Sequence, residues 1–372
     1  MRHANSRLVV FFGVTLAAIA PVRAELLIGD ASPLTGPVSW SGEQHLMGTE
    51  LAVAELNAKG GVLGEQIRLI SVDDACDTEQ AVAAARKLIS DRVIFVVGHI
   101  CSGGAIPTAP LYEAAGVIVI SPSATNPRLT EEGRANVFRV VGRDDQQGIL
   151  GGNYLADHWG GRNIAILHDG EAYGRGLAEE TRKTLNARGA REAIFEQITP
   201  GLVDYFEVVK KIQAMSIDVL YYAGYPAEAG LLIRQLRDRG DDLQMVSADG
   251  LSSEDYWLVA GEAGEGTLFT SFRDPSKNPG AATIIERARA RKIDPTYRVL
   301  YSYGAVQAWA AAVEQAGSLD PAAVITSLHS HDFDTVLGQI RFDQKGDVLP
   351  SAFDWFVWTN GEFLPKDLTL TE

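Results

Sequence analysis

Residues 93–125 read VIFVVGHICSGGAIPTAPLYEAAGVIVISPSAT. Val93–Val97 is a short, unbroken apolar run, the pattern of a strand buried on both faces. Ile106–Ala115 reads as a helix, and Val117–Ile120 is a second apolar run. Strand, helix and strand in this order make a unit of parallel sheet with a crossover helix. The stretches after the two strands are Gly98–Gly104 and Ser121–Thr125, rich in glycine and hydroxyls. In open parallel sheets ligands bind outside the carboxyl ends of the strands, so these loops are the first place to look for a site.

The same rhythm extends in both directions. Toward the N-terminus, strands are read at Leu26–Ile28 and Gln66–Val72 and helices at Glu43–Ala58 and Thr78–Ser90. Beyond residue 146, helices are read at Gln147–Trp159, Gly174–Arg188, Tyr205–Met215 and Ala227–Arg239. They alternate with strands at Ile164–Leu167, Ala193–Gln197, Val219–Ala223 and Gln244–Ser247. Two such series predict an α/β protein with two doubly wound lobes, in keeping with 372 residues. After a polar link at Pro275–Gly280 come helices at Ala282–Lys292, Tyr297–Ala316 and Pro321–His329, then strands at Gln339–Phe342 and Asp354–Trp358.

Composition narrows the function. Hydrophobic residues make up 46% and charged residues 22%, which excludes wholesale disorder. A formal net charge of -15 leaves no electrostatic footprint for nucleic acid or an anionic membrane. Arg2 and Arg7 precede the apolar run Leu8–Ala20, and Val22-Arg23-Ala24 follows a breaking Pro21. This reads as a secretory signal cut after Ala24, too short for the roughly 20 residues of a membrane span. Cleavage removes three arginines and no acid, leaving 30 basic residues against 48 acidic, a net of -18. In an oxidising compartment the only two cysteines, Cys76 and Cys101, have a disulfide as their simplest outcome. The rival reading is a thiol enzyme using Cys101 with His99, which share a face if they lie on a strand. His329 and His331, with Asp332 and Asp334, read as a solvated helix end rather than a metal site. Asp73, Asp74 and Asp77 lack calcium-loop spacing.

Several motifs, taken in order, resemble the branched-chain amino-acid-binding proteins of ABC importers, the leucine/isoleucine/valine-binding type. They are Pro33–Pro37, Ala58–Gly64, Asp73–Asp77, Gly98–Ser102, Ser121–Thr125, His168-Asp169 with Tyr173-Gly174, Tyr221–Tyr225 and Phe342–Asp347. The resemblance implies a type I periplasmic binding fold with lobes 25–142 plus 273–349 and 143–272 plus 350–372. The ligand cleft lies between them. It also implies a Cys76–Cys101 disulfide, a small or branched-chain amino acid as ligand, transient docking to an ABC permease, a monomer in the periplasm, no cofactor and no covalent chemistry. A sensory subunit of the same fold would bind the same ligands and differ only in its partner.

Burying an amino acid requires satisfying both of its charges. For the carboxylate, Ser102 and Thr125 offer hydroxyls and N–H groups, and Ser123 and Ala124 offer backbone groups. The same serines and threonine could equally be helix caps. For the ammonium, Asp249 is the candidate, where the family often has the longer Glu; a turn aspartate before Gly250 is the plain alternative. Tyr173 and Tyr225 would support it by hydroxyl and ring. In the side-chain pocket this chain has Ser41 where leucine binders have Tyr. Trp40 stands just before it, and Tyr301 is expected to point toward the cleft.

Overall fold

Apolar residues that alternate between two faces of each strand explain why the chain forms two separate covered sheets. In β1 (Leu26–Ser32) and β3 (Phe95–Gly98), Leu26, Ile28, Phe95 and Val97 join one core, while Ala31 and Val96 join another on the opposite face. The computed structural model describes residues 25–291 and 295–368; the apolar leader 1–24 lies outside them. With β2 (Ile67–Asp73), β4 (Ile118–Ser121) and β5 (Val137–Arg139), these strands make a parallel sheet in the order β2-β1-β3-β4-β5. Helices α1 (Ser39–Ala58), α2 (Thr78–Ser90), α3 (Ser102–Ala114) and the short α4 (Arg128–Glu131) connect them.

The second sheet carries β6 (Ile164–His168), β7 (Ile194–Gln197), β8 (Val219–Ala223), β9 (Gln244–Ser247) and β10 (Leu268–Phe272). Its helices are α5 (Asp144–Trp159), α6 (Ala172–Ala187), α7 (Phe206–Ala214), α8 (Pro226–Arg237) and α9 (Glu254–Ala260). Leu220 and Tyr222 face one core and Val219 and Tyr221 the other, the same two-sided pattern. The chain then returns to the first lobe through α10 (Ala281–Ala290), α11 (Tyr297–Ala316) and α12 (Pro321–Ser330). A small antiparallel sheet of β11 (Phe333–Thr335), β12 (Gly338–Phe342) and β13 (Val348–Leu349) follows. Finally β14 (Phe353–Thr359) and β15 (Glu362–Pro365) extend the second sheet, giving the order β15-β14-β10-β9-β8-β6-β7. These last two strands run antiparallel. Their turn, Asn360-Gly361, has positive φ at both residues, as a tight hairpin requires.

Two helix starts differ from the sequence reading by four residues. The helix expected from Ile106 begins at Ser102, although Gly103, Gly104, Pro107 and Pro110 disfavour it. Tertiary contacts compensate. The carbonyl of Gly103, which Pro107 cannot bond, accepts the Thr78 hydroxyl at 3.0 Å. A methyl at residue 104 would sit 2.8 Å from Ala81 Cβ, so α2 and α3 pack through this glycine. Likewise α1 begins at Ser39 rather than Glu43, and its Gly48 lets α11 approach so closely that a Cβ there would be 2.1 Å from the Val299 carbonyl. That contact fixes the start of α11 against the middle of α1.

A buried ionic hub lies where the chain passes from the first sheet to the second. Arg139, fully buried, bonds Asp347 at 2.7 Å, and Asp347 also bonds Arg143 at 2.7 Å. Arg139 further donates to the carbonyls of Ala124 and Asn126, each at 3.0 Å. The same guanidinium that pins the crossing therefore orients the loop after β4.

Candidate functional site

The loops after β3 and β4 converge in the first lobe. Cys76 and Cys101 form a disulfide with Cα atoms 5.5 Å apart, so neither sulfur is a thiolate and the Cys101 nucleophile does not exist here. His99 is fully buried between Asp74, at 2.6 Å from Nδ1, and the Tyr112 hydroxyl, at 3.2 Å from Nε2. It has no open nitrogen for chemistry. Instead its carbonyl accepts the Ser121 hydroxyl at 2.8 Å, and the Ser121 oxygen accepts the N–H of Ala124 at 2.9 Å. Asp73 accepts the N–H of Leu34 and the hydroxyl of Thr35, and Asp77 caps α2. All three acids of that run are thus structural.

Ser102 is the first residue of α3, where unpaired N–H groups gather. Its hydroxyl oxygen accepts the N–H of Asn126 at 3.2 Å, which leaves the O–H to donate. Ser123 and Thr125 line the cavity beside it. Ala124 does not: its N–H is used by Ser121, its carbonyl by Arg139, and its side chain is buried in a small apolar cluster.

Across the gap, the turn after β9 presents Asp249. Its carboxylate accepts Gln147 Nε2 at 2.6 Å and the Tyr173 hydroxyl at 2.9 Å. Tyr173 in turn accepts the N–H of Gly250 at 3.0 Å, and Thr270 donates to Gln147 at 2.9 Å. Burial pushes the Asp249 carboxyl up, while Gln147, Tyr173 and the charge of Arg298 pull it back down. A second acid, Asp144, is fully buried nearby. Burial and the neighbouring Asp249 hold it well above the usual carboxylate range, so it favours the protonated form. The rings of Tyr173 and Tyr225 lie 5.4 Å apart and form the aromatic wall with Gly250.

Between the two halves is a cavity of about 40 Å³. Val38, Ile100 and Cys101 cluster as an apolar part of its wall, and Ser41 and Arg298 add polar groups to the lining. Sequence reasoning missed Arg298, Gln147 and Asp144. Arg298 carried a signal: it is the single charge in the stretch Tyr297–Val313, and a charge on a helix that is otherwise core is rarely buried without purpose. Two expected residues lie elsewhere. Tyr301 does not face the cavity; its ring packs on Phe272 at 5.4 Å and its hydroxyl donates to the Arg273 carbonyl at 2.9 Å, at the second chain crossing. A buried phenol needs a partner, and the strand end supplies one that the cavity does not. Trp40 is half-buried and also off the cavity wall; its neighbour Ser41 takes that place.

The profile of the family described as periplasmic binding protein matches residues 25–361. The chain belongs to the periplasmic binding protein family. It is 42% identical over 358 residues to a Leu/Ile/Val-binding protein homolog of Brucella abortus, covering 95% of this chain and 96% of that one. Among solved structures, a leucine-binding protein of Thermotoga maritima superposes with a TM-score of 0.84 at 25% identity, covering 92% of this chain and 98% of that one. The branched-chain amino-acid transporter substrate-binding protein of Streptococcus pneumoniae, in complex with isoleucine, superposes with a TM-score of 0.81 at 26% identity. It covers 92% of this chain and all of that one. This periplasmic binding protein therefore has the type I fold and is similar to proteins named for binding leucine, isoleucine and valine. Among its described residues no helix is long and apolar enough to cross a membrane.

Proposed function

We propose that the protein captures an α-amino acid between lobes 25–142 plus 273–349 and 143–272 plus 350–372 and delivers it to an ABC permease. One observation carries this reading. A donor-rich half, Ser102, Ser123 and Thr125, faces a buried acid, Asp249, whose two hydrogen bonds both fall on Oδ1, across one small cavity. The first half suits a carboxylate and the second an ammonium, and only a ligand with both charges satisfies both. In this reading Tyr173 and Gln147 hold Asp249 in place, and Tyr225 closes the aromatic wall.

Export fits the same picture. The leader 1–24 would be removed after Ala24, and a disulfide is at home in an oxidising compartment. Binding works by differential stabilisation: the ligand favours the closed pair of lobes because it touches both, and the permease reads the closed form. Calorimetry of the mature chain against the twenty amino acids and their decarboxylated or deaminated analogues tests the reading. Binding of at least one amino acid, lost when either charged group is removed, is the expected result. A ligand that binds equally well without its ammonium overturns it.

A further inference from the structure

The guanidinium of Arg298 is 4% exposed and lines the cavity from the first lobe. Its Nη2 donates to the Ser252 hydroxyl at 2.6 Å and to the Ser252 carbonyl at 3.0 Å. Its Nε is buried and has no partner. A buried donor left unpaired is costly, more so when it is charged. Ser41, also buried, is a second polar residue of the lining. An aliphatic side chain placed against Arg298 would desolvate the cation without giving it an acceptor. Val38 and Ile100 supply apolar wall enough for one or two methylenes.

Resting on the amino-acid reading above, we infer that Arg298, with Ser41, selects a ligand whose side chain carries an oxygen acceptor, a carboxylate or carboxamide, over the branched aliphatic amino acids.

Calorimetry of the mature chain with Asp, Glu, Asn and Gln in one arm and Leu, Ile and Val in the other tests this. The best acceptor-bearing ligand should bind at least tenfold more tightly than leucine, and the four members of the first arm tell carboxylate from carboxamide. Arg298→Leu should shift the ratio by tenfold or more toward leucine, whereas loss of a merely structural contact would weaken all ligands alike. Arg298→Gln serves in the same way if the leucine variant does not fold. A wild-type preference under tenfold, or a ratio unmoved by both variants, overturns the inference. If the chain binds no amino acid at all, the proposed function falls with it; if it binds leucine best, only the Arg298 assignment falls.

Discussion

Asp249 and Asp169 stand at the ends of strands in the second lobe, and both are buried carboxyls, yet their surroundings give them different work. Asp249 is wrapped by donors that offset part of the upward push of burial, and a cationic partner would favour its charged form further. Asp249→Ala should weaken amino-acid binding at least a hundredfold, about 2.7 kcal/mol, as calorimetry would show. A loss under tenfold removes Asp249 as the ammonium acceptor. Asp169 has only the Glu171 N–H on one oxygen, and its other oxygen is unpartnered. Burial pushes its pKa up to about 7. The folded state therefore holds a proton that the unfolded chain releases near pH 4, and stability falls as pH rises from about 4 through about 7. The slope from this group is on the order of 1 kcal/mol per pH unit in that window. Asp169→Asn keeps the acceptor and removes the titration, so urea melts at several pH values should lose that slope; an unchanged slope refutes the assignment. Asp249 was visible in the sequence as an acid at a strand end. Arg298 was not singled out because its neighbours spell a core helix, and only packing shows that the start of α11 lies against α1 beside the cavity.

At the level of elements, the parallel strands and most helices were legible because each sheet is covered on both faces, which writes short apolar runs into the chain. The start of α3 was not, since two glycines and two prolines argue against a helix whose stability comes from α2 and the disulfide. Cys76–Cys101 joins the loop before α2 to the residue before Ser102. It closes a span of 25 residues, and on the chain-entropy account its removal lowers stability by about 3 kcal/mol. The paired change Cys76→Ala and Cys101→Ala should show that loss in urea unfolding. The variant should also bind its amino acid more weakly, because the Ser102 N–H and hydroxyl are no longer fixed before the ligand arrives. Unaltered stability in the variant would mean that the loops hold themselves without the bond.

For the whole molecule, several hydrogen bonds cross between the lobes, among them that of the Tyr297 and Ser271 hydroxyls at 2.6 Å and that of the Asp144 N–H to the Thr125 carbonyl at 2.9 Å. Arg298 reaches Ser252, and Asn126 Nδ2 donates to the Ala172 carbonyl at 2.6 Å. Asn126 is already the nexus of the first lobe's loop: its N–H goes to Ser102, its carbonyl takes Arg139, and its Oδ1 accepts the N–H of Arg128. Nothing in the sequence around Asn126 announces a second-lobe partner, because the contact exists only when the lobes meet. Asn126→Asp retains the acceptor for Arg128 and turns the interlobe donor into an oxygen facing a carbonyl. That substitution should leave the folded lobes intact and bias them apart. The apparent affinity then drops by the fraction of closed form lost, tenfold or more for a charged oxygen opposed to a carbonyl, while the ranking of ligands stays as in the wild type. Small-angle scattering should show a larger radius of gyration for the variant at sub-saturating ligand, converging on the wild-type value at saturation. An affinity within twofold of wild type would mean that the ligand alone, and not this lobe-to-lobe bond, sets the closed state.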